Sequence, residues 1–359
     1  MRVVFDNIIF FLQKSGGGTI YWSEIVKRAN NDSSIDAIFS EPQSNHNNIF
    51  RARLSINVAC FEKYPLSLLR ISNFTLPINK KSIFHSSYYR ISRSSKAINV
   101  ITIHDFTSEL FFNGIRKFIH AKRKENGIKH ADGIICISNN TRSDLLKFYP
   151  GIDRKKIRVI YNGVGDSYFP IQKSQFIKND YNNILNSKYV LYVGHRTSYK
   201  NFYMAAETVS LLDETFSLLI IGEKLSPREV ENLDRTLRNR YTCLSKIDNE
   251  TLNVFYNFAY CLIYPSTYEG FGIPILEAMK AGCPVVTSNK SSIPEVAGNS
   301  ALIVSEINAD NFAKAILKLQ NQAFREQTIE AGFIQARRFS WDKCFSEIKQ
   351  FYNELYNGL

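Results

Sequence analysis

Along the whole chain, short apolar runs rich in β-branched residues alternate with stretches of helical periodicity, and no other pattern constrains the fold as much. Such alternation is the signature of parallel sheets wound with crossover helices, an α/β fold. The strand candidates form two series. The first comprises residues 2–5, 99–102, 133–137 and 157–160, and the second residues 189–193, 216–221, 260–263, 284–287 and 301–304. Two series in 359 residues imply two sheets and two domains. Between them, residues 162–187 are polar, interrupted by Gly163, Gly165 and Pro170, and lack sustained periodicity. The expected organisation is a first domain over 1–165, a linker over 166–187 and a second domain over 188–340. After Trp341, the residues Phe345, Ile348, Phe351, Tyr352 and Leu355 recur at helical spacing, which predicts a final helix within 341–359 that packs back on the first domain.

Charge divides between the halves. Residues 1–170 hold 25 Lys and Arg against 13 Asp and Glu, whereas residues 171–359 hold 20 of each. A basic half on a neutral partner suggests a polyanion or an anionic membrane surface; read blandly, it is a solvated basic face. Nucleic acid is disfavoured, because zinc-finger spacing, an aromatic RNA-binding signature and a recognition helix are all missing. No run of about 18 apolar residues occurs, and the apolar start is interrupted by Asp6 and Asn7, so the expectation is a cytoplasmic chain without a membrane span. Six scattered cysteines without a C-x-x-C pair read as reduced thiols.

The densest motif is Tyr264-Pro-Ser-Thr-Tyr-Glu-Gly-Phe-Gly-Ile-Pro-Ile-Leu-Glu277. It starts where a strand ends, turns through Gly270 and Gly272, and opens a helix with Pro274 in the first turn. A strand, glycine loop and helix start leave backbone N–H groups at the carboxyl edge of the sheet, where α/β folds bind ligands. Glu269 and Glu277 lie eight residues apart, two carboxylates able to accept from the hydroxyls of a sugar and a ribose. Read blandly, Glu269 caps the helix and Glu277 makes a surface ion pair.

Three further features accompany it. In Val193-Gly194-His195-Arg196-Thr-Ser-Tyr-Lys200-Asn201, Arg196 and Lys200 are placed to converge on one anion if the turn folds back, and a diphosphate is the natural occupant. Ser15-Gly16-Gly17-Gly18-Thr19 precedes a helical pattern and would let backbone approach a phosphate or sugar; alone, it is first of all a flexible turn. His104 follows the strand run Val100-Ile-Thr-Ile, where a lone histidine is as often structural as functional. Glu295, after the later strand, reads first as a helix-start residue. There is no D-x-D near a strand end, no Walker loop and no G-x-G-x-x-G, which disfavours a metal-bridged donor site, a kinase and a dehydrogenase.

Taken in motif order over nearly the whole chain, the glutamate block resembles the E-x7-E signature of the family-4 retaining glycosyltransferases. That resemblance implies the GT-B fold, two facing Rossmann-like domains with a cleft between them, the first binding the acceptor and the second a nucleotide sugar. It implies that Glu269 contacts the donor sugar, helped by the amides of Gly270, Phe271 and Gly272, and that Glu277 binds the ribose. Arg196 and Lys200, beside Gly194, would stabilise the leaving diphosphate in place of a metal, so no cofactor or metal is expected. Gly16 and Gly17 would face the donor diphosphate, and His104 the donor sugar near the reacting carbon. Phe5-Asp-Asn7, Gly16-Gly17, Ile103-His-Asp-Phe106 and Gly194-His-Arg with Tyr199-Lys-Asn201 resemble the branch acting in bacterial O-antigen or capsule assembly. Its members imply transfer of mannose or a related sugar from a GDP-sugar to a lipid-linked oligosaccharide, by an enzyme peripheral on the inner face of the inner membrane. A UDP-sugar-dependent transferase of the same fold, and a nucleotide-sugar-binding protein without transfer, remain as alternatives.

Overall fold

The structure is a computed structural model that describes residues 1–172 and 181–358. The chain divides into two compact units, Met1–Gly163 joined by the stretch from Trp341 onward, and Val164–Ser340.

Unit 1 is built on seven strands: β1 (Arg2–Asp6), β2 (Asp36–Pro42), β3 (Val58–Glu62), β4 (Ser82–Ser86), β5 (Ala97–Ile103), β6 (Gly133–Cys136) and β7 (Ile157–Val159). They lie in the order β3-β2-β1-β4-β5-β6-β7, every neighbouring pair parallel. Order reverses at β1, so the loops after β1 and β4 share one point of the carboxyl edge, the position at which such sheets take ligands. The final helix, Trp341–Asn357, buries Trp341, Cys344, Phe345, Ile348, Phe351 and Tyr352 and belongs to this unit. Gly133 has no room for a side chain there, since a Cβ would fall 2.5 Å from Leu355 Cδ1 of that helix.

Unit 2 has six strands: β8 (Lys188–Val193), β9 (Phe216–Ile221), β10 (Tyr241–Leu244), β11 (Cys261–Tyr264), β12 (Val285–Ser288) and β13 (Leu302–Val304). The order is β10-β9-β8-β11-β12-β13, again parallel throughout. Val190, Tyr192, Leu218, Ile220, Ile263 and Val286 from the sheet pack with Phe202, Val209, Leu233 and Phe312 from the covering helices. Strands this apolar on both faces need helices on both, which is why their runs stand out in the sequence.

Four strands depart from the expected series: β2, β3, β4 and β10. β4 is Ser-Ile-Phe-His-Ser and is buried at every position, and β2 ends in Ser-Glu-Pro with Glu41 buried. Their His85 and Glu41 side chains are satisfied inside the unit. His85 Nε2 lies 2.9 Å from Thr102 Oγ1 and its Nδ1 contacts the Tyr352 hydroxyl, while Glu41 accepts from Asn7 Nδ2 at 3.0 Å and Arg51 Nε at 2.6 Å. β3 and β10 are edge strands with half-exposed patterns.

The linker expected over 166–187 is corrected in part. Unit 2 begins at Val164, which bridges to Ser340, and Phe169 N donates to Asn253 Oδ1 at 3.1 Å, so this stretch packs as part of unit 2. Residues 173–180 of that linker lie outside the described residues.

Candidate active site

Two neighbouring strand ends build the principal cluster in unit 2. β8 ends at Val193, and Gly194 N donates to Ile221 O at 3.0 Å, holding the turn against β9. Behind it sits Gly222, where a Cβ would come within 2.7 Å of Gly194 O and 3.4 Å of Arg196 Nη1. Only glycine permits that approach. The turn then winds through a short 3₁₀ segment, Ser198–Lys200, and Asn201 adopts the left-handed conformation (φ 49°) before the helix Phe202–Ser210.

From β11 the chain runs through 265–272 into the helix Ile273–Ala281, whose N-cap, Gly272, has φ 107°. This loop is sewn to its surroundings by hydroxyls. Thr287 Oγ1 donates to Tyr264 O at 2.7 Å and Ser288 Oγ to Ser266 O at 2.5 Å. Ser291 and Ser292 donate to Glu269 O at 2.6 and 2.9 Å, and Ser292 also to Phe271 O at 2.9 Å. Thr267 N donates to Tyr199 O at 2.7 Å, and Asn201 Nδ2 to Pro265 O at 2.9 Å, which ties the two strand-end loops together.

The result places Lys200 Nζ 2.7 Å from Glu269 Oε1, both side chains largely buried. Glu269 does not cap the helix, which has no side-chain cap bond. Glu277 is not a surface residue: it is buried and accepts from Tyr256 OH at 2.9 Å and from Tyr168. Burial pushes its carboxyl up to about 7, against the two phenol hydrogen bonds that lower it. Phe271 is also buried, packed edge-on to Phe339 at 5.7 Å, so its ring belongs to the core and only its backbone faces the loop's function.

Arg196 and Lys200 have separate carboxylate partners. Arg196 pairs with Glu229, Nε to Oε1 at 2.6 Å, and donates to the carbonyls of Glu223 and Lys224 at 2.9 Å. The 3₁₀ turn and the left-handed Asn201 between strand and helix put residues 196 and 200 on no common helical face, so each cation finds its own carboxylate. The Arg196 guanidinium in turn holds the Glu229 carboxyl down at about 2.

In unit 1, Gly16 is the N-cap of the helix Gly17–Asn31, and Thr19 Oγ1 donates to Gly16 O at 2.9 Å. A Cβ at Gly18 would lie 3.9 Å from His104 Nε2, so the glycine loop and His104 come together at the ends of β1 and β5, with space open around Gly17. His104 stands edge-on to Tyr21, ring centroids 5.0 Å apart, and burial drives its imidazole pKa well down, leaving it neutral. Glu295 lies in the first turn of the helix Ile293–Ala297, as its reading as a helix-start residue anticipates.

Sequence reading passed over Glu229, Gly222, Tyr168, Tyr256, Ser291 and Ser292. One signal was present: Ser226-Pro-Arg-Glu229 has the capping-box spacing, and both reciprocal bonds form at the start of the helix Pro227–Leu237.

Two parallel-sheet Rossmann-like units make the GT-B fold, and the second carries a cation–carboxylate pair on a glycine-turned strand end. Residues 173–334 match the family described as Glycosyl transferases group 1, and residues 57–167 that described as Glycosyltransferase Family 4; the chain belongs to these family-4 glycosyltransferases. It is similar to the O-antigen chain mannosyltransferase B of Escherichia coli, 29% identical over 87% of this chain and 84% of that protein. With the O-antigen chain mannosyltransferase RfbU of Salmonella typhimurium it shares 29% identity over 61% of this chain and 60% of that one. Among solved structures, Anabaena HepE in complex with UDP-glucose has the same fold, with TM-score 0.78 and 17% identity over 99% of this chain and 100% of that chain.

Proposed function

We propose that the chain is a retaining transferase that moves mannose or a related hexose from a GDP-sugar onto a lipid-linked oligosaccharide in O-antigen or capsule synthesis. The observation that carries this is the Lys200–Glu269 pair at the end of β11, beside the Arg196 turn, in a chain similar to two O-antigen mannosyltransferases. A carboxylate able to accept from sugar hydroxyls then lies next to an ammonium able to meet the departing phosphate. Retention needs no protein base if the leaving phosphate oxygen takes the acceptor's proton on the face it leaves. The protein's share is then charge stabilisation, which Arg196 and Lys200 supply without a metal, in a site preorganised before reaction. Glu277 would bind the ribose, its carboxyl held by Tyr168 and Tyr256, and Gly16, Gly17 and His104 are the residues of unit 1 proposed to touch the donor. A UDP-sugar is the second reading, favoured by the UDP-glucose bound to HepE.

Thermal shift across GDP, UDP, ADP and their sugar conjugates, with and without magnesium, tests this. A ligand that binds only the folded state stabilises it by about 2.7 kcal/mol at one hundred times Kd. GDP and GDP-sugar are expected to raise Tm independently of magnesium in wild type and far less in Glu277→Ala. A shift confined to UDP would select the second reading; none with any nucleotide would sink both.

The acceptor side is proposed to work at the inner membrane. Unit 1 carries 27 Lys and Arg against 15 Asp and Glu. It exposes Phe118 (62%) and Ile71 (57%) around a depression shared with Arg93 and Lys122, an apolar and basic combination suited to anionic headgroups. Each cation near such a surface contributes roughly 1 kcal/mol. In liposome sedimentation at low salt, the protein is expected to pellet with anionic vesicles and stay in solution with neutral ones, and Phe118→Ala to weaken the former. Equal behaviour with both vesicle types would refute the membrane role.

A further inference from the structure

We propose that Glu229 is a positioning residue for the donor diphosphate: it clamps Arg196 in one orientation and offsets its charge, so that the diphosphate meets one aimed N–H rather than a free guanidinium. This rests on the reading of the 194–201 turn as the diphosphate site.

A guanidinium has five N–H donors. Four bonds are made here: Nε to Glu229 Oε1 at 2.6 Å, Nη2 to Glu229 Oε2 at 3.3 Å, Nη1 to Glu223 O at 2.9 Å and Nη2 to Lys224 O at 2.9 Å. One Nη1 donor is left over for a ligand. The clamp is itself fixed, because Glu229 Oε2 accepts from Ser226 N at 2.7 Å and Ser226 Oγ at 2.8 Å as the capping box of the helix Pro227–Leu237. Gly222 closes the other side, with no room for a side chain between it and Gly194 O. Lys200 contrasts with this arrangement. Among the described residues its charged partner is Glu269, one bond that an incoming phosphate can exchange.

The difference has a chemical consequence. An N–H already aimed at the leaving phosphate costs no reorganisation as charge develops. A guanidinium bearing its full charge would also hold the product diphosphate tightly, and the Glu229 carboxylate lowers that hold. Glu229 therefore favours turnover over product affinity.

The test measures Kd for GDP and UDP by titration calorimetry, alongside kcat, in four variants. Glu229→Gln removes the negative charge and keeps one oxygen, which at the Oε2 position still accepts from Ser226 and Arg196 Nη2 while the bond from Arg196 Nε is lost. Its Kd for the diphosphate is expected to fall by about fivefold, the scale of one partly screened ion pair, while kcat drops. A merely structural role would weaken affinity and turnover together. Glu229→Asp keeps the charge but is too short to clamp, and is expected to lower kcat with Kd near wild type. Ser226→Ala, which loosens the cap alone, should leave Kd unchanged. Arg196→Ala checks the underlying reading and must raise Kd. Unchanged or weaker binding in Glu229→Gln, with Arg196→Ala weakened, overturns the role of Glu229 alone; no effect in Arg196→Ala overturns the diphosphate assignment and this proposal with it.

Discussion

Lys200→Ala is expected to lower kcat by about 100-fold or more, the magnitude for losing a preorganised charge partner of a transition state. Lys200 differs from Arg196 in being held by one bond, 2.7 Å to Glu269, so its ammonium can follow the phosphate as the sugar departs. The substitution spares the surrounding loops, because the stitches from Thr267 N to Tyr199 O and from Asn201 Nδ2 to Pro265 O do not involve the lysine side chain. Melting temperature should therefore move little while kcat collapses. Lys200→Arg is expected to recover only part of the activity, since a planar fork does not replace a compact ammonium at a single-oxygen contact. Steady-state kinetics with the donor identified by thermal shift measures both. A kcat in Lys200→Ala close to wild type would show that the Lys200–Glu269 pair is structural.

Arg196→Ala reads out a different arrangement. The arginine ties the turn after β8 to the start of the helix Pro227–Leu237 through Glu229, so its loss removes an anchor as well as a charge. The same order of loss in kcat is expected, accompanied by a measurable drop in Tm that Lys200→Ala does not share.

The strands legible in the sequence were those whose runs are apolar on both faces, such as Tyr-Val-Leu-Tyr-Val in β8 and Phe-Ser-Leu-Leu-Ile-Ile in β9. Among the illegible ones, β2, β3 and β4 carry polar side chains that meet partners far along the chain, as Glu41 meets Asn7, Glu62 meets Arg90 and His85 meets Tyr352. β4 is buried at all positions, yet contains His85 and two serines, and its histidine is paired with Tyr352 from the far end of the chain. No window around residue 85 shows that partner. At the site, Glu269, Glu277 and Lys200 were legible because a strand, a glycine turn and a helix start follow one another within a short window. Glu229 was not, since it meets Arg196 from 33 residues away, and Ser291 and Ser292 reach Glu269 from the loop after the next strand. Local spacing locates the loops; which cation meets which carboxylate is decided by how adjacent strand ends pack.

The largest effect on stability is expected at Arg90, which reading by motifs had no reason to single out. Its side chain is fully buried and lies 3.0 Å from Asp6 and 2.7 Å from Glu62, with further bonds to the carbonyls of Ser72 and Asn73. Ser86 Oγ, 3.0 Å from Asp6 Oδ2, and Thr75, which donates to Glu62 at 2.7 Å, complete the cluster. Burial, with the neighbouring Glu62 charge, pushes the Asp6 carboxyl upward against the pull of Arg90, while at Glu62 the Arg90 guanidinium and the Thr75 hydrogen bonds outweigh burial and bring that carboxyl below its usual range. Removing the cation leaves two like charges buried together, and breaking such a pair costs about 3–5 kcal/mol. Arg90→Ala should therefore shift the urea midpoint far down at pH 8. The pH dependence separates charge from cavity. Without Arg90 both carboxyls have folded pKa values above their unfolded ones, so folding takes up protons and the variant gains stability as pH falls. The deficit relative to wild type should shrink from pH 8 to pH 5, since in wild type the lowered Glu62 carboxyl keeps its contribution until the pH falls into the ordinary carboxylate range. A deficit independent of pH would mean that the cost is packing, and that Asp6 and Glu62 already carry protons in the native protein.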